Sequence, residues 1–597
     1  MNRWEASRLP EWWQRLLARL PLATVAPCPS EGEPACSLAH AGDESVALAR
    51  RLQPGERFLI AHPGMPAQPE HWRESLEEIF EATVHLLDPE PEADWLFAFG
   101  WKGLRVPQVR RRVRMITHRR ALHMLGGGET QLLETLYALR EQGVVADVSV
   151  ALRLPEMPYD LNHLFSLFHA DRLELLERCQ EPFVISTIFW DYSELLQVSV
   201  ALRAIFSQAE FFSPSLDHLS SCSHPEKKIL EEPQAVQSLL DAWRPQPTAP
   251  LQPDPALRRV LRLGRLLLPN ATREWEMVRR VFGATEPALI VPNGVRPERF
   301  LNAEPALFEQ QYGLKDFVLC AARIDPNKNQ LMLIWALRDT GLPLVLAGKE
   351  SDAEYAALCR RWAGGQVRFV GELSPQMLAS AYAAARVHAL PSWSETPGLA
   401  NLEAALTGCP LVVGNRGAEV EYLGEWAYVC DPGDARSIRS AVQQAWHEQN
   451  PARREARRQH VLQHYTWQRA ARITAEAYER ALQMPERWLL VPEWHNPATW
   501  LPALQHHVTC YAEPSPTLIL YAGSLNGVAP TEAYEQVLHA LEQLGVDAET
   551  CPDIELTDRL PAGDVRPLLT GSSCDLLLRV QYGARCIPLR DWLHRAA

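Results

Sequence analysis

Short apolar runs alternate with amphipathic stretches through the second half of the chain. From this pattern we predict strands at 317–322, 342–347, 367–370, 387–390 and 411–413. The intervening segments carry apolar residues at helical spacing and predict helices at 330–338, 353–362, 375–385 and 399–406. Strands that alternate with helices at this spacing predict a parallel, doubly wound α/β sheet.

A similar alternation begins at about residue 112. Here we predict strands at 113–117, 146–151, 183–189, 209–212 and 261–269, and helices at 130–142 and 274–282. A strand at 58–61 and a helix at 70–82 precede this unit, and the proline-rich stretch at 222–254 is interpreted as irregular. Two α/β units in tandem predict two Rossmann-like lobes, whose ligands bind in the cleft outside the carboxyl ends of the strands.

The C-terminal segment resembles part of the second unit. The sequence LPLVLAGKES, starting at Leu342, is similar to PTLILYAGSL, starting at Pro516. The stretches that start at Gly371 and Thr557 both indicate a turn, an amphipathic helix and an apolar strand. Either a partial internal duplication or a shared α/β rhythm explains this likeness. In both cases the chain ends before a second full lobe is completed.

Composition narrows the class of protein. The chain has 597 residues, of which 47% are hydrophobic and 22% charged, and its net charge is -14. These values are typical of a folded globular chain and exclude a strongly basic nucleic-acid binder. We expect no transmembrane helix, because the sequence has no run of about 18 uncharged apolar residues. We expect no signal peptide, because Arg15 and Arg19 interrupt the apolar N-terminal stretch. The 12 cysteines form no CxxC pair, so we expect a reducing cytoplasm and no structural metal.

A basic tract lies before the strand predicted at 113–117. It consists of Arg105, Arg110, Arg111, Arg112, Arg114, Arg119 and Arg120. A solvated protein surface explains such a tract, and so does attraction to a phosphate-bearing substrate or to an anionic membrane surface. The sequence leaves both interpretations open.

Two groups of charged residues follow predicted strands of the second unit. Arg323 and Lys328, in AARIDPNKNQ, place two cations in one strand-end loop, where they could neutralise a diphosphate. Glu395 and Glu403 flank a Pro-Gly turn and a helix start in ETPGLANLE. Carboxylates beside the free N–H groups of a helix start could accept hydrogen bonds from sugar or ribose hydroxyls. Taken alone, each group is a weak signal: the cations are explained as an exposed basic loop, and the glutamates as a solvated loop acid and an ordinary helical residue.

The order of the motifs is more specific than any one of them. VPNGV at 291–295 is followed by AARIDPNKN, FVGELS, PSWSETPGLANLEA and GNRGAEVEYLGEWAYVCDPGD. This order resembles the family-four retaining glycosyltransferases of the GT-B fold, strongly over about 290–450 and moderately over about 112–290. The stretch from Glu421 is most similar to members that build bacterial surface polysaccharides. The resemblance does not cover residues 1–105, nor residues 487–597 beyond the partial repeat.

The resemblance implies roles for the matching residues. Arg323 and Lys328 would bind the donor diphosphate and stabilise the charge on the leaving group, and Glu395 would hold hydroxyls of the transferred sugar. Glu403 would bind the ribose. The remaining donor contacts would come from Asn293, from the backbone of Pro397, Gly398 and Leu399, and from Gly127 and Gly128 of the first lobe. Transfer with retention of configuration, with no metal and no cofactor, is implied.

One departure from the family concerns the acceptor side. Many members carry a first-lobe histidine near the sugar, whereas the corresponding strand end here reads STIFWDYSE from Ser186. Trp190, Asp191 and Tyr192 either replace that histidine or pack at the strand end, and we count Asp191 among the catalytic candidates. His118 and His123 are alternatives. Glu129, after the glycine loop, either faces the site or caps the following helix.

We therefore expect four regions, at 1–110, 111–290, 291–485 and 486–597. They are an accessory region, an acceptor-side lobe, a donor-side lobe with a helix that returns to the first lobe, and an accessory α/β region. The expected partners are a UDP- or GDP-linked sugar and a glycan, lipid-linked or protein acceptor. The flanking regions are assigned to packing, acceptor binding or oligomerisation. The alternatives are a non-catalytic scaffold on a degenerate transferase fold, and a phosphorylase or sugar-phosphate synthase on the same fold.

Overall fold

The computed structural model describes most of the chain. The described residues are 57–63, 69–88, 95–101, 103–106, 108–118, 126–150, 158–207, 232–243, 254–510, 516–547, 551–561, 563–571, 574–582 and 585–593. The N-terminal stretch around Arg15 and Arg19, the strand predicted at 209–212 and His123, Arg119 and Arg120 lie outside them.

The first lobe is built on an eight-stranded sheet in the order β1-β3-β2-β5-β4-β6-β7-β8. Its strands are β1 (Arg57–Pro63), β2 (His85–Asp88), β3 (Trp95–Trp101), β4 (Arg111–Ile116), β5 (Val144–Ser149), β6 (Leu161–Phe165), β7 (Phe183–Ser186) and β8 (Gly264–Leu267). Its helices are α1 (Pro69–Phe80), α2 (Gly127–Leu139), α3 (Leu173–Leu176), α4 (Ser193–Ser207), α5 (Glu232–Ala242), α6 (Pro255–Arg262) and α7 (Thr272–Phe282). Strands β4 to β8 are parallel, as predicted.

The N-terminal boundary predicted at residue 110 is corrected by this sheet. Strand β2 pairs in parallel with β5, and β3 pairs antiparallel with both β1 and β2. The described part of residues 57–101 therefore extends the first lobe, because its strands complete the ladder of the β5 edge. The stretch at 222–254 also differs from the prediction, since α5 lies within it.

The second lobe is built on a six-stranded parallel sheet in the order β11-β10-β9-β12-β13-β14. Its strands are β9 (Val318–Ala321), β10 (Leu344–Ala347), β11 (Val367–Gly371), β12 (Val387–Leu390), β13 (Leu411–Gly414) and β14 (Tyr428–Cys430). Its helices are α8 (Pro297–Phe300), α9 (Ala306–Tyr312), α10 (Gln330–Leu337), α11 (Ala353–Trp362), α12 (Pro375–Ala384), α13 (Leu399–Leu406), α14 (Glu419–Leu423), α15 (Ala435–Trp446) and α16 (Pro451–His464). Each strand and helix predicted in this region is confirmed.

The next helix, α17 (Trp467–Gln483), returns to the first lobe as predicted. Trp467, Ala471 and Tyr478 are buried in the hydrophobic core that lies under α2 and β5. The Tyr478 hydroxyl lies 2.7 Å from Nδ1 of His163 on β6. The first lobe is therefore completed by a helix that follows the second lobe in the chain.

The C-terminal region forms a third sheet of five parallel strands in the order β17-β16-β15-β18-β19. Its strands are β15 (Arg487–Leu490), β16 (Thr517–Tyr521), β17 (Ile554–Thr557), β18 (Arg566–Leu569) and β19 (Ile587–Pro588), and its helices are α18 (Leu501–Cys510), α19 (Pro530–Gln543), α20 (Asp575–Tyr582) and α21 (Leu589–Leu593). The order matches the first five strands of the second lobe. The helix-then-strand prediction after Thr557 is wrong, because β18 comes first and the apolar run after it is α20.

Buried charges attach the third sheet to the first lobe. Asp564 accepts hydrogen bonds from Arg265, at 2.8 Å, and from Arg585. Burial, followed by repulsion from Arg265, lowers the pKa of Arg585 to about 10. Arg566 also donates to the carbonyl of Gln180, at 2.9 Å. Because one carboxylate serves two nearly buried guanidinium groups, loss of Asp564 would leave both without their counter-ion.

Two arginines of the basic tract can be placed in this fold. Arg111 pairs with Glu479 of α17 at 2.7 Å, and Arg114 pairs with Glu181 at 3.2 Å. These two arginines therefore form ion pairs within the protein.

Among the described residues, no helix has both the length and the apolar character needed to cross a bilayer.

Candidate functional site

A tight turn carries the two predicted cations out of strand β9. Asp325 accepts a hydrogen bond from the Lys328 amide at 3.2 Å, which closes the turn at Pro326–Lys328. Asn329 then adopts a left-handed conformation, with φ of 61°, and its side chain donates to the carbonyls of Pro391 and Pro432. Asparagine tolerates this conformation better than most residues. The turn is thus fixed to the loop after β12, which carries Glu395.

Lys328 and Glu395, predicted from separate motifs, form a direct ion pair. The Lys328 ammonium donates to Oε1 of Glu395, and the two side chains are 16% and 9% exposed. Burial lowers the pKa of Lys328, but attraction to Glu395 and Asp325 outweighs it and leaves the pKa raised. Lys328 is therefore a cation. It stays beside the Glu395 carboxylate unless another anion displaces Glu395 or another donor displaces Lys328.

The loop from Glu395 to helix α13 depends on a glycine. Gly398 has φ of +63°, and a Cβ there would lie 2.7 Å from Nδ2 of Asn401 and 3.4 Å from Oε2 of Glu395. Asn401 donates from its side chain to the Pro397 carbonyl at 3.2 Å and from its amide to the Gly398 carbonyl at 2.8 Å. The backbone at Leu399 therefore starts the helix directly beside Glu395.

A cleft of about 580 Å³ separates the two lobes next to this loop. Arg323 and Glu403 both line it. The Arg323 side chain is 43% exposed and lies 3.7 Å from Asp325, so its guanidinium can reach a ligand. The other lining residues are Phe99, Trp101, Thr130, Leu133, Glu134, Leu136, Arg296, Arg299, Phe300, Ala321, Ala322, Ala347, Gly348, Lys349, Glu372, Leu373, Ser374, Pro375, Leu378, Tyr382 and Ala400.

Glu403 lies in a polar part of this cleft. Its Oε2 accepts a hydrogen bond from the Tyr382 hydroxyl at 3.0 Å. Burial raises the pKa of Glu403 to about 7, although Tyr382 and the nearby Arg299 favour the ionised form. The carboxyl group is thus half-ionised near neutral pH, which makes its hydrogen-bonding role sensitive to pH.

The glycine loop forms the first turn of α2, whose later residues Thr130 and Glu134 line the same cleft. A Cβ on Gly127 would meet no atom within 4 Å, and one on Gly128 would only touch Ile188 at 3.9 Å. Packing therefore does not demand glycine at either position, and the space beside them is open. Glu129 caps the helix by accepting from the Gly126 amide at 2.7 Å, and its other oxygen lies 3.1 Å from Nε2 of His118.

Asn293 is placed at the crossing between the lobes. Its amide donates to the Tyr422 hydroxyl at 3.0 Å, and it is absent from the lining of the cleft. A Cβ on the adjacent Gly294 would overlap the backbone of Thr466 and Trp467, where the chain returns to the first lobe. The VPNGV segment therefore serves as a connection between the lobes.

The segment that starts at Ser186, where the resemblance predicts a histidine, lines a second cavity of about 520 Å³ between the lobes. Asp191 accepts a hydrogen bond from the Ser193 amide at 3.0 Å and lies in this second cavity rather than in the cleft with Glu403. Trp190 donates from its indole to the Thr396 hydroxyl at 2.8 Å, directly after Glu395. The structure thus brings this first-lobe segment to the Glu395 loop.

Glu419 is a buried acidic residue that the sequence did not single out. It is fully buried, and a Cβ on Gly417 would overlap both its Oε2 and the backbone of Glu395. The Ala418 amide donates to the Glu395 carbonyl at 2.7 Å. Burial, followed by repulsion from Glu395, raises the pKa of Glu419 well above its usual range. The closely spaced glycines in GNRGAE, which leave room for a carboxyl group, were the available signal.

Comparison with known protein families identifies a match in the second lobe, which carries these charged residues. The family model described as glycosyl transferases group 1 matches residues 308–460. We call residues 308–460 the group 1 segment. The group 1 segment contains Arg323, Lys328, Glu395 and Glu403 and most of the second lobe. Together with the first lobe and the intervening cleft, it gives the chain the GT-B arrangement predicted from sequence.

Several curated proteins resemble part of the chain. The chain is 29% identical over 189 residues to the O-antigen chain mannosyltransferase B of Escherichia coli, which covers 29% of this chain and 49% of that protein. It is 35% identical over 133 residues to the glycogen synthase of Mycobacterium tuberculosis (strain ATCC 25618 / H37Rv), over 21% of this chain and 32% of that one. The chain therefore spans half or less of these two relatives.

Solved structures are similar over a longer stretch. The sucrose-phosphate synthase of Thermosynechococcus elongatus matches with a TM-score of 0.45 and 17% identity, over 62% of this chain and 99% of that one. A glycosyltransferase from Rickettsia africae matches with a TM-score of 0.45 and 12% identity, over 63% and 99%.

Proposed function

We propose that this chain is a retaining glycosyltransferase that moves a sugar from a nucleotide-sugar donor to a glycan, lipid-linked or protein acceptor. One observation carries the proposal. Arg323 and Glu403 face a 580 Å³ cleft between two Rossmann-like lobes, beside the Lys328–Glu395 ion pair. The cleft has the volume of an ordinary small-molecule site. It combines cations for a diphosphate with carboxylates for hydroxyl groups.

In donor binding, each charged side chain of the site would contact a complementary group of the nucleotide-sugar. Glu403 would accept hydrogen bonds from the ribose hydroxyls, and Arg323 would bind a diphosphate oxygen through its exposed guanidinium. Lys328 would exchange Glu395 for the diphosphate, and Glu395 would then accept from hydroxyls of the sugar. The exchange keeps both nearly buried charges paired before and after binding, so neither is left alone in a site of low polarity.

The transfer step breaks the bond between the anomeric carbon and the phosphate oxygen, and the electron pair stays with the nucleoside diphosphate. The acceptor hydroxyl oxygen bonds to the anomeric carbon on the same face, and its proton passes to the departing diphosphate. Arg323 and Lys328 would stabilise the charge that develops on the leaving group, since one strand-end loop holds both cations close to it. The two lobes limit access of water, which would otherwise hydrolyse the donor.

The biological context belongs to the proposal as well. One relative is named for O-antigen chain synthesis. The stretch from Glu421, which resembles enzymes of bacterial surface polysaccharides, lies inside the group 1 segment. These two observations support a role in the synthesis of a surface polysaccharide or glycoconjugate.

The test is thermal unfolding with UDP, GDP, ADP and their sugars, for the wild type, Glu403→Ala and Glu535→Ala. A ligand at 100 times its Kd stabilises the folded state by about 2.7 kcal/mol. We expect one nucleotide to raise the Tm of the wild type and of Glu535→Ala, whose glutamate is exposed on the distant helix α19. Glu403→Ala should lose most of the shift.

Turnover separates the enzyme from its closest alternative. The stabilising nucleotide-sugar should release its nucleoside diphosphate in the presence of the wild type. Nucleotide binding without release from any of the donors would instead indicate a binding or scaffold protein. No stabilisation by any nucleotide would contradict the proposal altogether.

A further inference from the structure

Helix α4 belongs to the first lobe by sequence but packs against the second lobe. It follows strand β7, and its inward residues Val198, Leu202, Ile205 and Phe206 are buried in the core of the second lobe. The Phe206 ring meets the rings of Trp335 and Trp362 at centroid distances of 5.6 and 5.7 Å. The Trp362 indole also donates to the Phe206 carbonyl at 2.9 Å.

Polar contacts bind both ends of α4 to the second lobe. At its C-terminal half, Arg203 donates to Asp352 and, at 2.7 Å, to Glu354. Asp352 itself caps helix α11 by accepting from the Tyr355 amide at 3.0 Å. At the N-terminal end, Glu194 lies 3.6 Å from Arg416. The helix is therefore fixed against the second lobe along its length, so its position does not depend on the first lobe alone.

Helix α4 adjoins the turn that carries Lys328, a residue of the proposed donor site. The backbone carbonyl of Tyr192 accepts the first helical hydrogen bond, from the Leu196 amide at 2.9 Å. The helix contacts the Pro326–Lys328 turn. The Tyr192 side chain is 44% exposed, and Lys328, Glu395 and Arg323 are among the charged groups that act on it. Neighbouring Trp190 is bonded to Thr396, which holds this segment against the Glu395 loop.

We infer that the Tyr192 hydroxyl contacts the donor at its sugar-linked phosphate, and that Arg203, through helix α4, is a positioning residue for it. A phenolic hydroxyl at the start of a helix that contacts the Lys328 turn can donate to the phosphate oxygen that gains charge as the sugar leaves. This inference rests on the proposed function. It assigns to this chain's own tyrosine the first-lobe contact for which the sequence has no histidine.

The state of the phenol agrees with such a role. Partial burial raises the pKa of Tyr192, although Lys328 acts in the opposite direction. The hydroxyl therefore keeps its proton at neutral pH and can donate it in a hydrogen bond. Asp191 cannot substitute in this role, because its carboxylate is acceptor-only and is used by the Ser193 amide.

The experiment compares Tyr192→Phe, Arg203→Leu and the double variant. The readouts are release of nucleoside diphosphate from the stabilising nucleotide-sugar and the Kd of that nucleoside diphosphate. Val200→Ala is the control, since Val200 is 68% exposed on the opposite side of the same helix. Tyr192→Phe should lower kcat about 100-fold, the scale for losing one positioned donor, with little change in KM or nucleotide Kd.

Arg203→Leu should lower kcat about 10-fold, and Arg203→Lys should restore most of that loss because it keeps the cation. The double variant should be no slower than Tyr192→Phe, since residues that act through one another are not additive in their effects. A wild-type kcat in Tyr192→Phe, or additive losses in the double variant, would overturn the inference and leave the proposed function standing. A wild type that releases no nucleoside diphosphate from any donor would overturn both.

Discussion

The second lobe and the third sheet share one strand order but differ in the loops at the ends of their strands. In the second lobe, the turn after β9 presents Arg323 and Lys328. In the third sheet, the loop after β15 turns Trp494 inward, where it is 2% exposed and packs against Trp500 at a centroid distance of 5.3 Å. The carboxyl end of the first strand is thus a site of charge in one sheet and part of the hydrophobic core in the other.

The connections between the fourth and fifth strands differ in the same sense. Glu395, after β12, pairs with Lys328 and approaches the cleft. Asp575, after β18, accepts from the amides of Thr570 and Gly571 at 3.3 and 2.6 Å. In the proposed function, the Glu395 carboxylate exchanges its partner for a ligand, whereas the Asp575 carboxylate is hydrogen-bonded within its own loop. The fold supplies the position, and the loops decide whether a polar group is left for a substrate.

The largest effect is expected from removing the charge that makes the second lobe different. Lys328→Met leaves Glu395 nearly buried without its counter-ion, so the free energy of unfolding should fall by about 3–5 kcal/mol. Donor turnover should fall about 100-fold or more. Urea unfolding and nucleotide release measure the two effects. Lys315→Met, at an exposed lysine of the same lobe, is the control, and equal stability of the two variants would refute the buried pair.

The third sheet should lose comparable stability without losing activity. Trp494→Ala removes a buried indole and its 3.1 Å hydrogen bond to the Tyr521 carbonyl. The expected loss in free energy of unfolding is about 3–5 kcal/mol. Release of nucleoside diphosphate, measured below the unfolding transition, should keep the wild-type kcat. A large fall in kcat would mean that the third sheet takes part in donor chemistry after all.

A glycine substitution tests how tightly the Glu395 loop is constrained. Gly398→Ala places a Cβ at φ of +63° and 2.7 Å from Asn401, which should cost about 1–3 kcal/mol. Gly313→Ala is the matched control, because its φ is +66° but no atom lies within 4 Å of the added Cβ. Chemical denaturation of both variants separates the contact from the backbone strain. Equal losses would show that the Asn401 contact is unimportant.

The smallest effect is expected for the pH dependence of nucleotide affinity. Since the pKa of Glu403 is about 7, the carboxylate that is proposed to accept from ribose forms mainly above that pH. Affinity for the bound nucleotide should rise by at most about tenfold between roughly pH 6 and 8. Glu403→Gln should remove this part of the dependence, and titration calorimetry at several pH values measures it. An identical pH profile in the variant would exclude Glu403 as the titrating group.

The raised pKa of Glu403 also affects the free energy of unfolding. Because the pKa of Glu403 is raised from its ordinary value of 4.5 to about 7, the folded state binds more protons than the unfolded state between these values. The contribution of Glu403 to the free energy of unfolding therefore falls as pH rises from 4.5 to 7, and the penalty is complete above that range. Removing the charge in Glu403→Gln should raise the Tm at about pH 8 by about 2–4 °C.

The sequence predicted the second lobe well because its strands are short apolar runs and its helices are separated by clear turns. The prediction failed after Thr557 because the apolar run of α20 is short. A short apolar run does not by itself distinguish a helix from a strand. The Lys328–Glu395 pair was predicted only as two separate motifs. Glu419 was missed because its burial is a property of the packed loop.

The side on which α4 packs could not be read from the sequence. The helix has one apolar face, and that face fits either lobe by pattern alone. Its position became evident only from the contacts of Phe206 and Arg203 with the second lobe. The structural role of the N-terminal strands was hidden for a related reason, since pairing partners far apart in the chain leave no local signal.

The return of α17 to the first lobe has a consequence for synthesis. The core of the first lobe contains Trp467 and Tyr478, which leave the ribosome only after the whole second lobe has been made. Domains usually fold in the order in which they emerge. Here the lobe that is translated first must wait with an unfilled core, and the lobe translated later can finish before it. A chaperone that shields exposed apolar surface would be needed longest by the first lobe.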